Sequence, residues 1–401
     1  MSVTDRFAGK RILIWGYGRE GKSTEDFLKR CCKPQSIEIF QGKIDEIDED
    51  KYDYIFKSPG IVMHESNPKY TSQTQVFMEE YGKQTIGVTG TKGKSTTSSL
   101  LYTVLSACSG KEVILMGNIG LPCLDYFDHI TNDTIVVFEL SAHQLYHTTV
   151  SPHVGVFLNL YEDHLDYYEN MDRYYMAKTH VAAYQGKSDF CYMGSNVPKF
   201  DTKGKRTIIS CEKDYNYELS IEGNHNRYNA EFVYKIATEV FGCDGDAVRN
   251  ALKTFTGLAH RLQKVATVDG VDYYDDSIST IPQATISAAT SLKNAKTLLI
   301  GGMDRGIDYT VLEEFIPAHD EFNYICMYES GKRIYNAVTG DGSWTSKGNL
   351  IYVDDLEAAV LKAKDITRSG EACVLSPAAA SYGYFKNFEE RGDVFAELVR
   401  K

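Results

Sequence analysis

The chain has 401 residues, of which 43% are hydrophobic and 24% are charged, and its formal net charge is −12. This is the composition of a globular protein with several domains, and it excludes disordered and fibrous architectures. The acidic surplus argues against non-specific binding to nucleic acids or anionic membranes, because both present phosphate groups that need a cationic surface. The composition therefore favours small-molecule partners and no nucleic acid.

No apolar run approaches the ~20 residues that a membrane-spanning helix needs, and the first residues lack the basic and apolar regions of a signal peptide. The nine cysteines include no Cys-x-x-Cys pair, which favours reduced, structural cysteines over disulfides or a zinc site. We therefore expect a cytoplasmic protein without membrane insertion, and we expect it to be a monomer.

Short apolar runs of strand length alternate with helical stretches along the chain. In chain order, strands are predicted at residues 11–15, 37–40, 52–56, 85–88, 112–116, 134–140, 154–158, 263–268, 271–274, 296–300, 324–328, 349–353 and 372–375. Helices are predicted at residues 21–29, 94–107, 226–241, 356–364 and 386–399. Most strand runs are continuously apolar, which indicates parallel sheets covered on both faces. The predicted fold class is α/β, with domains at residues 1–81, 82–257 and 258–401.

Glycines follow the first predicted strand in the pattern Gly-x-Gly-x-x-Gly, at residues 16–21. The pattern is typical of a dinucleotide-binding loop, but the second strand ends at Gln41 with no acid to hold an NAD ribose. The sequence therefore argues against an oxidoreductase. A nucleotide diphosphate remains a candidate ligand for this loop, together with Ser58 and Gly60 after the third strand.

The strongest motif is residues 87–97, Gly-Val-Thr-Gly-Thr-Lys-Gly-Lys-Ser-Thr-Thr, between a predicted strand and a predicted helix. In that context backbone N–H groups and a helix N-terminus bind phosphates. Lys94 is expected to reach the β- and γ-phosphates, and Ser95 to ligate Mg²⁺. Val88 replaces the first glycine of the usual spacing, and Gly90 supplies the flexibility. The alternative, a surface turn rich in Gly, Thr and Lys, is disfavoured by the order strand, loop, helix.

Polar residues follow the next strands of the central domain. Glu139 ends one strand and could hold Mg²⁺ with Ser95; the less favoured alternative is a solvated acid at a strand end. Asp163, His164 and Asp166 follow another strand and form a cluster suited to a second metal or to phosphate.

Two further candidates lie on predicted helices. Asn226 and Asn229 share one helix face, where they could hydrogen-bond an adenine edge or cap the helix. Lys178, taken alone, is most simply a surface lysine with a buried stem.

The third domain has three polar or Gly-rich stretches where strands end. They follow the hairpin (residues 275–282), the strand at 296–300 (residues 301–306) and the last strand (residues 376–392). Their placement predicts a second ligand-binding face.

Together these motifs resemble the Mur ligase family, and the resemblance covers essentially the whole chain. The matching motifs are Gly90-Thr-Lys-Gly-Lys-Ser-Thr96, Gly117-Asn118-Ile-Gly120, Glu139-Leu-Ser141, Glu162-Asp-His-Leu-Asp166, Ala177-Lys178, His225-Asn226-x-x-Asn229, His260-Arg261, Asp276-Ser277 and the segment at residues 376–392. That last segment is most similar to the branch of the family that adds glutamate.

The resemblance implies an N-terminal Rossmann-like domain that holds UDP, a central ATPase domain with a mostly parallel sheet and a C-terminal Rossmann-like domain that docks ATP and the amino acid. It implies an ATP-dependent ligase of peptidoglycan precursor synthesis. The enzyme would add D-glutamate to UDP-N-acetylmuramoyl-L-alanine through an acyl phosphate. Three alternatives stay open: the same reaction with L-glutamate, another amide ligase such as a folate polyglutamylating enzyme, and a non-catalytic nucleotide-binding protein.

The resemblance also assigns roles to individual residues. The ATP-binding residues would be Thr91, Lys92, Gly93, Lys94, Ser95, Thr96, Thr97, Asn226, Asn229, Arg261 and Asp276. The UDP-substrate residues would be Gly18, Arg19, Gly21, Ser58, Gly60, Asn118 and His164. The Mg²⁺ ligands would be Ser95, Glu139, His164 and Lys178, the last as a carbamylated lysine, and the catalytic residues would be Lys94, Lys178 and His164. The glutamate residues would be Thr280, Arg305, Ser381 and Phe388.

The main departures from the family pattern lie near the amino-acid site. Ile278 stands where relatives that add D-glutamate usually have lysine, and the run Ile278-Ser-Thr280-Ile-Pro282 looks more like the L-glutamate branch. The match at residues 376–392 still places D-glutamate first.

Overall fold

The computed structural model describes residues 3–63, 67–118, 121–163, 165–221, 223–340 and 349–401. The chain forms two compact units, Met1–Phe255 and Thr256–Lys401. The predicted domain boundaries, after residues 81 and 257, stay a prediction.

The elements alternate along both units. The strands are β1 (Arg11–Trp15), β2 (Ser36–Phe40), β3 (Tyr54–Lys57), β4 (Tyr70–Thr71), β5 (Thr85–Thr89), β6 (Val113–Gly117), β7 (Ile135–Glu139), β8 (Val154–Phe157), β9 (Phe190–Gly194), β10 (Lys205–Ile209), β11 (Gln263–Val268), β12 (Val271–Asp275), β13 (Ala295–Ile300), β14 (Asn323–Met327), β15 (Leu350–Val353) and β16 (Ala372–Leu375). The helices are α1 (Arg19–Phe27), α2 (Gln73–Tyr81), α3 (Lys94–Cys108), α4 (Ala142–Leu145), α5 (Leu165–Tyr168), α6 (Met171–Thr179), α7 (Asn224–Glu239), α8 (Gly245–Thr254), α9 (Pro282–Ser291), α10 (Thr310–Ala318), α11 (Tyr328–Thr339), α12 (Leu356–Ile366) and α13 (Phe388–Arg400).

Unit Met1–Phe255 contains two parallel sheets, in the strand orders β2-β1-β3-β4 and β10-β9-β8-β5-β7-β6. Unit Thr256–Lys401 contains a third sheet, β11-β12-β16-β13-β14-β15, in which β11 and β12 form the antiparallel hairpin. The predicted α/β class with mostly parallel sheets is confirmed.

Strand β5 fixes the position of the phosphate-loop motif. All five of its residues are buried, and it pairs in parallel with both β7 and β8. Helix α3 then packs Leu100, Leu101, Val104 and Leu105 into the core beside this sheet. Because later strands continue the sheet on both sides of β5, its carboxyl end lies where a crevice for ligands opens in doubly wound folds.

Three of the strands were not predicted from the sequence: the two-residue β4, the buried β9 and the largely exposed β10. Strand β10 was not predicted, because it is an edge strand whose burial pattern is mostly exposed. Tyr328, predicted to end a strand, instead begins α11 with a φ of 59°. Within the described part of the chain, no helix is both long and apolar enough to cross a membrane.

Candidate active site

The loop between β5 and α3 has the backbone geometry of a phosphate-binding loop. Gly90 and Gly93 have φ values of 155° and 84°, which favour glycine, and Gly93 is the N-cap of α3. Among the described residues no side chain caps α3, so N–H groups of its first turn are available to an anion. A side chain at position 93 would also approach Asn229 Oδ1 to 2.9 Å.

Two lysine amines meet at one carbonyl of this loop. Lys94 Nζ donates to the Gly90 and Thr91 carbonyls at 3.1 and 3.0 Å, and Lys178 Nζ donates to the Gly90 carbonyl at 2.9 Å. Lys178 is 1% exposed, so its interpretation as a surface lysine is wrong. Burial, and next the charge of Lys94, hold the pKa of Lys178 well below its usual value, against the opposing effect of Asp163.

Glu139 is fully buried at the end of β7, so its interpretation as a solvated acid is wrong. Its Oε1 accepts a hydrogen bond from Asn118 Nδ2 at 2.9 Å, while Oε2 has no hydrogen-bond partner among the described residues. A buried carboxylate oxygen left in this way is costly unless a cation or donor meets it. The Glu139 carboxylate and the Ser95 hydroxyl, both buried, also offer the oxygen chemistry that Mg²⁺ prefers. These residues therefore fit a magnesium ion.

The other predicted magnesium ligands do not form a complete site among the described residues. Among the described residues, no group of three or more His, Cys, Asp or Glu side chains could hold a metal ion. His164 lies outside the described residues, so its predicted roles toward metal, substrate and catalysis stay predictions. Most other ligands of the ion would therefore be hydroxyl, carbamate, phosphate or water oxygens.

A cavity of about 400 Å³ brings together residues that the sequence predicted separately. Lys94 and Lys178 line it from the phosphate-loop side. Gly60 and Asn118, predicted to bind the UDP substrate, line the same space. The two predicted functions therefore meet in one cavity of unit Met1–Phe255.

The first glycine-rich loop packs against the loop that follows β3. Gly16 has a φ of 92°, and Ser58 Oγ donates to its carbonyl at 3.0 Å. A side chain at Gly21 would overlap the Gly16 carbonyl, which explains the third glycine of the pattern. Gly18 is the N-cap of α1, and Arg19 is exposed in its first turn.

Two side chains outside the predicted set hold the loop at residues 58–61. Lys57 Nζ donates to the Ser58 and Ile61 carbonyls at 3.2 and 2.7 Å. Tyr167 Oη, from α5, donates to the Pro59 and Ile61 carbonyls at 3.1 and 2.8 Å. No local sequence signal points to Tyr167, because its partners lie more than 100 residues away in the chain.

The other predicted ATP residues of this unit lie on α7 or in the loop and first turn of α3. Asn226 and Asn229 are 9% and 3% exposed on α7. The alternative that they cap this helix is wrong, because Gly223 is its N-cap. The remaining residues divide by burial: Thr91, Ser95 and Thr97 are buried, Thr96 is half-buried and Lys92 is exposed.

In unit Thr256–Lys401, one buried arginine connects the loops predicted to bind glutamate. Arg391 is fully buried on α13; its Nε and Nη2 donate to Ser277 Oγ and the Ser277 carbonyl at 2.9 and 2.7 Å, and its Nη1 donates to the Ala379 carbonyl at 3.0 Å. Ser277 Oγ in turn donates to the Phe388 carbonyl at 2.8 Å. Burial lowers the pKa of Arg391 to about 10. The motif at residues 376–392 contains this arginine, but no local sequence signal indicates what it contacts.

Asp276, predicted to contact ATP, is buried and hydrogen-bonded within the protein. Its Oδ2 accepts from Ser279 Oγ at 2.6 Å and Ser376 Oγ at 2.7 Å, and its Oδ1 accepts from the Leu262 amide at 3.1 Å. Burial raises its pKa in spite of these bonds. Asp276 therefore connects the loops after β12 and β16.

His260 and Arg261 lie on a strained turn beside this cluster. His260 Nδ1 is 2.7 Å from Asp275 Oδ2, and that hydrogen bond raises the pKa of His260. His260 and Leu262 have φ values of 59° and 46°, a conformation that costs non-glycine residues energy and that persists where the surroundings enforce it. Arg261, between them, is exposed.

The four residues predicted for glutamate lie at the carboxyl edge of the third sheet. Thr280 precedes α9, Ser381 is 3% exposed, and Phe388 begins α13. Arg305 is exposed in the loop after β13. The loops after β13 and β16 are joined where the Met303 amide donates to the Ala380 carbonyl at 2.9 Å.

We expect Arg391→Met to destabilise the protein strongly, because the Ser277 and Ala379 carbonyls would lose buried donors. Each such group costs about 1–3 kcal/mol when it is left unsatisfied. The matched control is Arg400→Met on the same helix, where an exposed guanidinium donates one bond to the Val265 carbonyl at 3.0 Å. Thermal melting should show a large decrease for the first variant and a small one for the second; equal decreases would contradict the role of Arg391.

Comparison with known proteins identifies the family of the chain. The sequence profile of the Mur ligase middle domain matches residues 88–198. A UDP-N-acetylmuramoylalanine–D-glutamate ligase from Acetivibrio thermocellus is 31% identical over 388 residues, which cover 87% of this chain and 82% of the relative. The chain belongs to the Mur ligase family.

Two other similarities are informative. A UDP-N-acetylmuramoyl-L-alanine–L-glutamate ligase from Micromonospora is 29% identical and covers 98% of this chain and 97% of its own length. The solved structure of a MurF ligase from Thermotoga maritima in complex with ADP has a TM-score of 0.56 at 16% identity, covering 99% of this chain and 96% of that one. The latter similarity shows the shared fold.

Proposed function

We propose that this Mur ligase uses ATP to join the carboxylate of UDP-N-acetylmuramoyl-L-alanine to the amine of D-glutamate. The observation that carries the proposal is the cavity lined by Lys94, Lys178, Gly60 and Asn118. A ligase needs such a cavity, because its acceptor must meet the γ-phosphate of the nucleotide. The relative from Acetivibrio thermocellus is named for this reaction.

The reaction has two steps. An acceptor carboxylate oxygen attacks the γ-phosphorus, the bond to the β-phosphate oxygen breaks, and ADP leaves an acyl phosphate behind. The glutamate amine then attacks the acyl carbon, loses a proton, and phosphate leaves as the amide forms. Lys94 and the first-turn N–H groups of α3 stabilise negative charge that develops on the phosphoryl oxygens.

For Mg²⁺, the proposed ligands are Ser95, Glu139, His164 and a carbamate on Lys178. The bound ion supplies charge neutralisation as two anionic groups approach each other. Asn118 orients Glu139 through its hydrogen bond to Oε1. The other carboxylate oxygen, Oε2, has no hydrogen-bond partner among the described residues and is therefore available to the ion.

The carbamate proposal rests on the chemistry of a neutral amine. Burial and the charge of Lys94 lower the pKa of Lys178, which favours the neutral amine with its nucleophilic lone pair. That nitrogen attacks CO₂, a C–N bond forms and one proton is released. The product is an anion in a place where a buried cation would be costly.

In unit Thr256–Lys401, we assign the amino acid to Thr280, Arg305, Ser381 and Phe388. Arg305 can pair with a carboxylate in two parallel hydrogen bonds, and its exposure leaves the guanidinium accessible. Arg261 and Asp276 are assigned to ATP, with Asp276 acting through the loops that it connects. We further propose that the protein is a cytoplasmic monomer; light scattering should then give a mass near 45.1 kDa.

L-Glutamate is the second candidate substrate. The relative from Micromonospora is named for it, and the run at residues 278–282 looks more like that branch. Both enantiomers carry the same charges, so discrimination must come from the direction of the amine. A misplacement of about 1 Å can cost ~10²-fold in rate.

We expect phosphate release from ATP to require both UDP-N-acetylmuramoyl-L-alanine and glutamate, and to be faster with D-glutamate. Parallel assays with the two enantiomers measure this preference. Faster turnover with L-glutamate would overturn the choice of amino acid only. Phosphate release that needs neither acceptor nor glutamate would overturn the ligase proposal.

A further inference from the structure

Asn159, which none of the predicted roles includes, forms a two-point clamp on the phosphate loop. Its Oδ1 accepts from the Lys92 amide at 2.9 Å, and its Nδ2 donates to the Lys92 carbonyl at 2.9 Å. Its own carbonyl accepts from the Thr91 amide at 3.1 Å. The side chain is 7% exposed, so water competes little for these three bonds.

The contacts around Asn159 continue the β5–β8 pairing into the loop. Before it, the Leu158 amide donates to the Thr89 carbonyl at 2.9 Å. After it, Thr91 Oγ1 accepts from the Tyr161 amide at 3.0 Å and donates to the Tyr161 carbonyl at 3.2 Å. The loop is thus docked, residue by residue, on the segment at 158–161.

The backbone of the phosphate loop needs contacts from outside the loop to hold one conformation. Gly90 and Gly93 bracket residues 91 and 92, and glycines allow many backbone conformations. The Lys92 side chain is exposed, so the anchor at this position is the backbone. A primary amide offers a donor and an acceptor side by side, as a peptide group does, and the geometry here uses both.

We propose that Asn159 is a positioning residue that holds the phosphate loop in its nucleotide-binding conformation before the nucleotide arrives. The Gly90 and Thr91 carbonyls, which orient Lys94, lie two and one residues before the clamped Lys92. Loss of the clamp lets the loop sample other conformations, and nucleotide affinity falls by the fraction of time spent in them. The inference rests on the proposed function, because it takes ATP or ADP as the ligand.

The test compares ADP affinity, measured by titration calorimetry, in the wild type and two variants. Asn159→Leu removes both bonds to Lys92, and Asn159→Asp keeps the acceptor but loses the donor. We expect the dissociation constant of ADP to rise about tenfold or more for Asn159→Leu, and less for Asn159→Asp. In assays, the KM for ATP should rise while the KM for the UDP substrate stays unchanged.

The matched control is Asn196→Leu. Asn196 Nδ2 donates to the Leu160 carbonyl at 3.4 Å, so it contacts the same segment without touching the phosphate loop. Its ADP affinity should equal that of the wild type. Unchanged ADP affinity in Asn159→Leu, or an equal decrease in the control, would overturn the inference. A wild type that binds no ADP would instead overturn the proposed function.

A measurement on the wild type does not depend on whether the variants fold. The Lys92 amide, bonded to Asn159, should exchange its hydrogen slowly in nucleotide-free protein, although the Lys92 side chain lies at the surface. Rapid exchange of this amide, at the rate of an unprotected loop, would show that the clamp is open and would overturn the inference.

Discussion

Replacement of Lys94 by alanine is expected to leave a folded protein that has lost most of its ligase activity. The amine lies at the start of α3, where it donates to the Gly90 and Thr91 carbonyls of the phosphate loop. Loss of one preorganised charge at a developing transition state costs about 10²–10³ in kcat. Steady-state phosphate release, with circular dichroism as the folding check, measures the effect.

The control for this variant is Lys111→Ala. Lys111 is exposed beyond the other end of the same helix, 3.9 Å from Asp133, and surface pairs of this kind contribute about 0–1 kcal/mol. Its activity should equal that of the wild type. A folded Lys94→Ala variant with near-normal turnover would contradict the assignment of residues 87–97 as a phosphate-binding loop.

The phosphate loop could be predicted from the sequence because its signal is local. Glycines that need positive φ, a lysine and a hydroxyl stand within a dozen residues, between a buried strand and a helix. The strands β5, β7 and β8 were predicted for a similar reason, since strands covered on both faces have continuous apolar runs. The edge strand β10 has no such run.

The residues that support the loops could not be predicted in the same way. Tyr167 reaches across 106 residues to the Ile61 carbonyl, and Arg391 reaches across 114 to Ser277. Asn159 bonds a lysine 67 residues earlier. Each partner is a backbone or hydroxyl group, which any sequence contains, so only the folded chain identifies the pair.

Lys178 is the clearest example of a residue whose role depends on its surroundings in the fold. A lysine in a helix with aromatic neighbours is usually at the surface, and the resemblance to the Mur ligases was needed to assign it a role. In the structure it is buried beside Lys94. Burial next to another cation is unfavourable for a structural lysine, so this position favours a modified one.

The second large effect is expected for Lys178→Ala, which should also lose most of its activity, about 10²–10³-fold if an anion at this position stabilises the transition state. The melting temperature of this variant at neutral pH should not show a decrease comparable to its loss of activity. The reason is that the substitution removes an amine whose burial already disfavours the charged form. Loss of activity together with loss of folding would point to a structural role instead.

Chemical rescue distinguishes the carbamate from a simple amine. Lys178→Ala leaves a space beside the Gly90 carbonyl, and a small carboxylate such as acetate can enter it and supply the missing anion. Lys178→Gln is the matched control, because its side chain fills the space but cannot be carbamylated. Activity that rises with acetate in the alanine variant, and not in the glutamine variant, is the expected result. Rescue by a small amine instead of a carboxylate would show that the active form of Lys178 is the unmodified lysine.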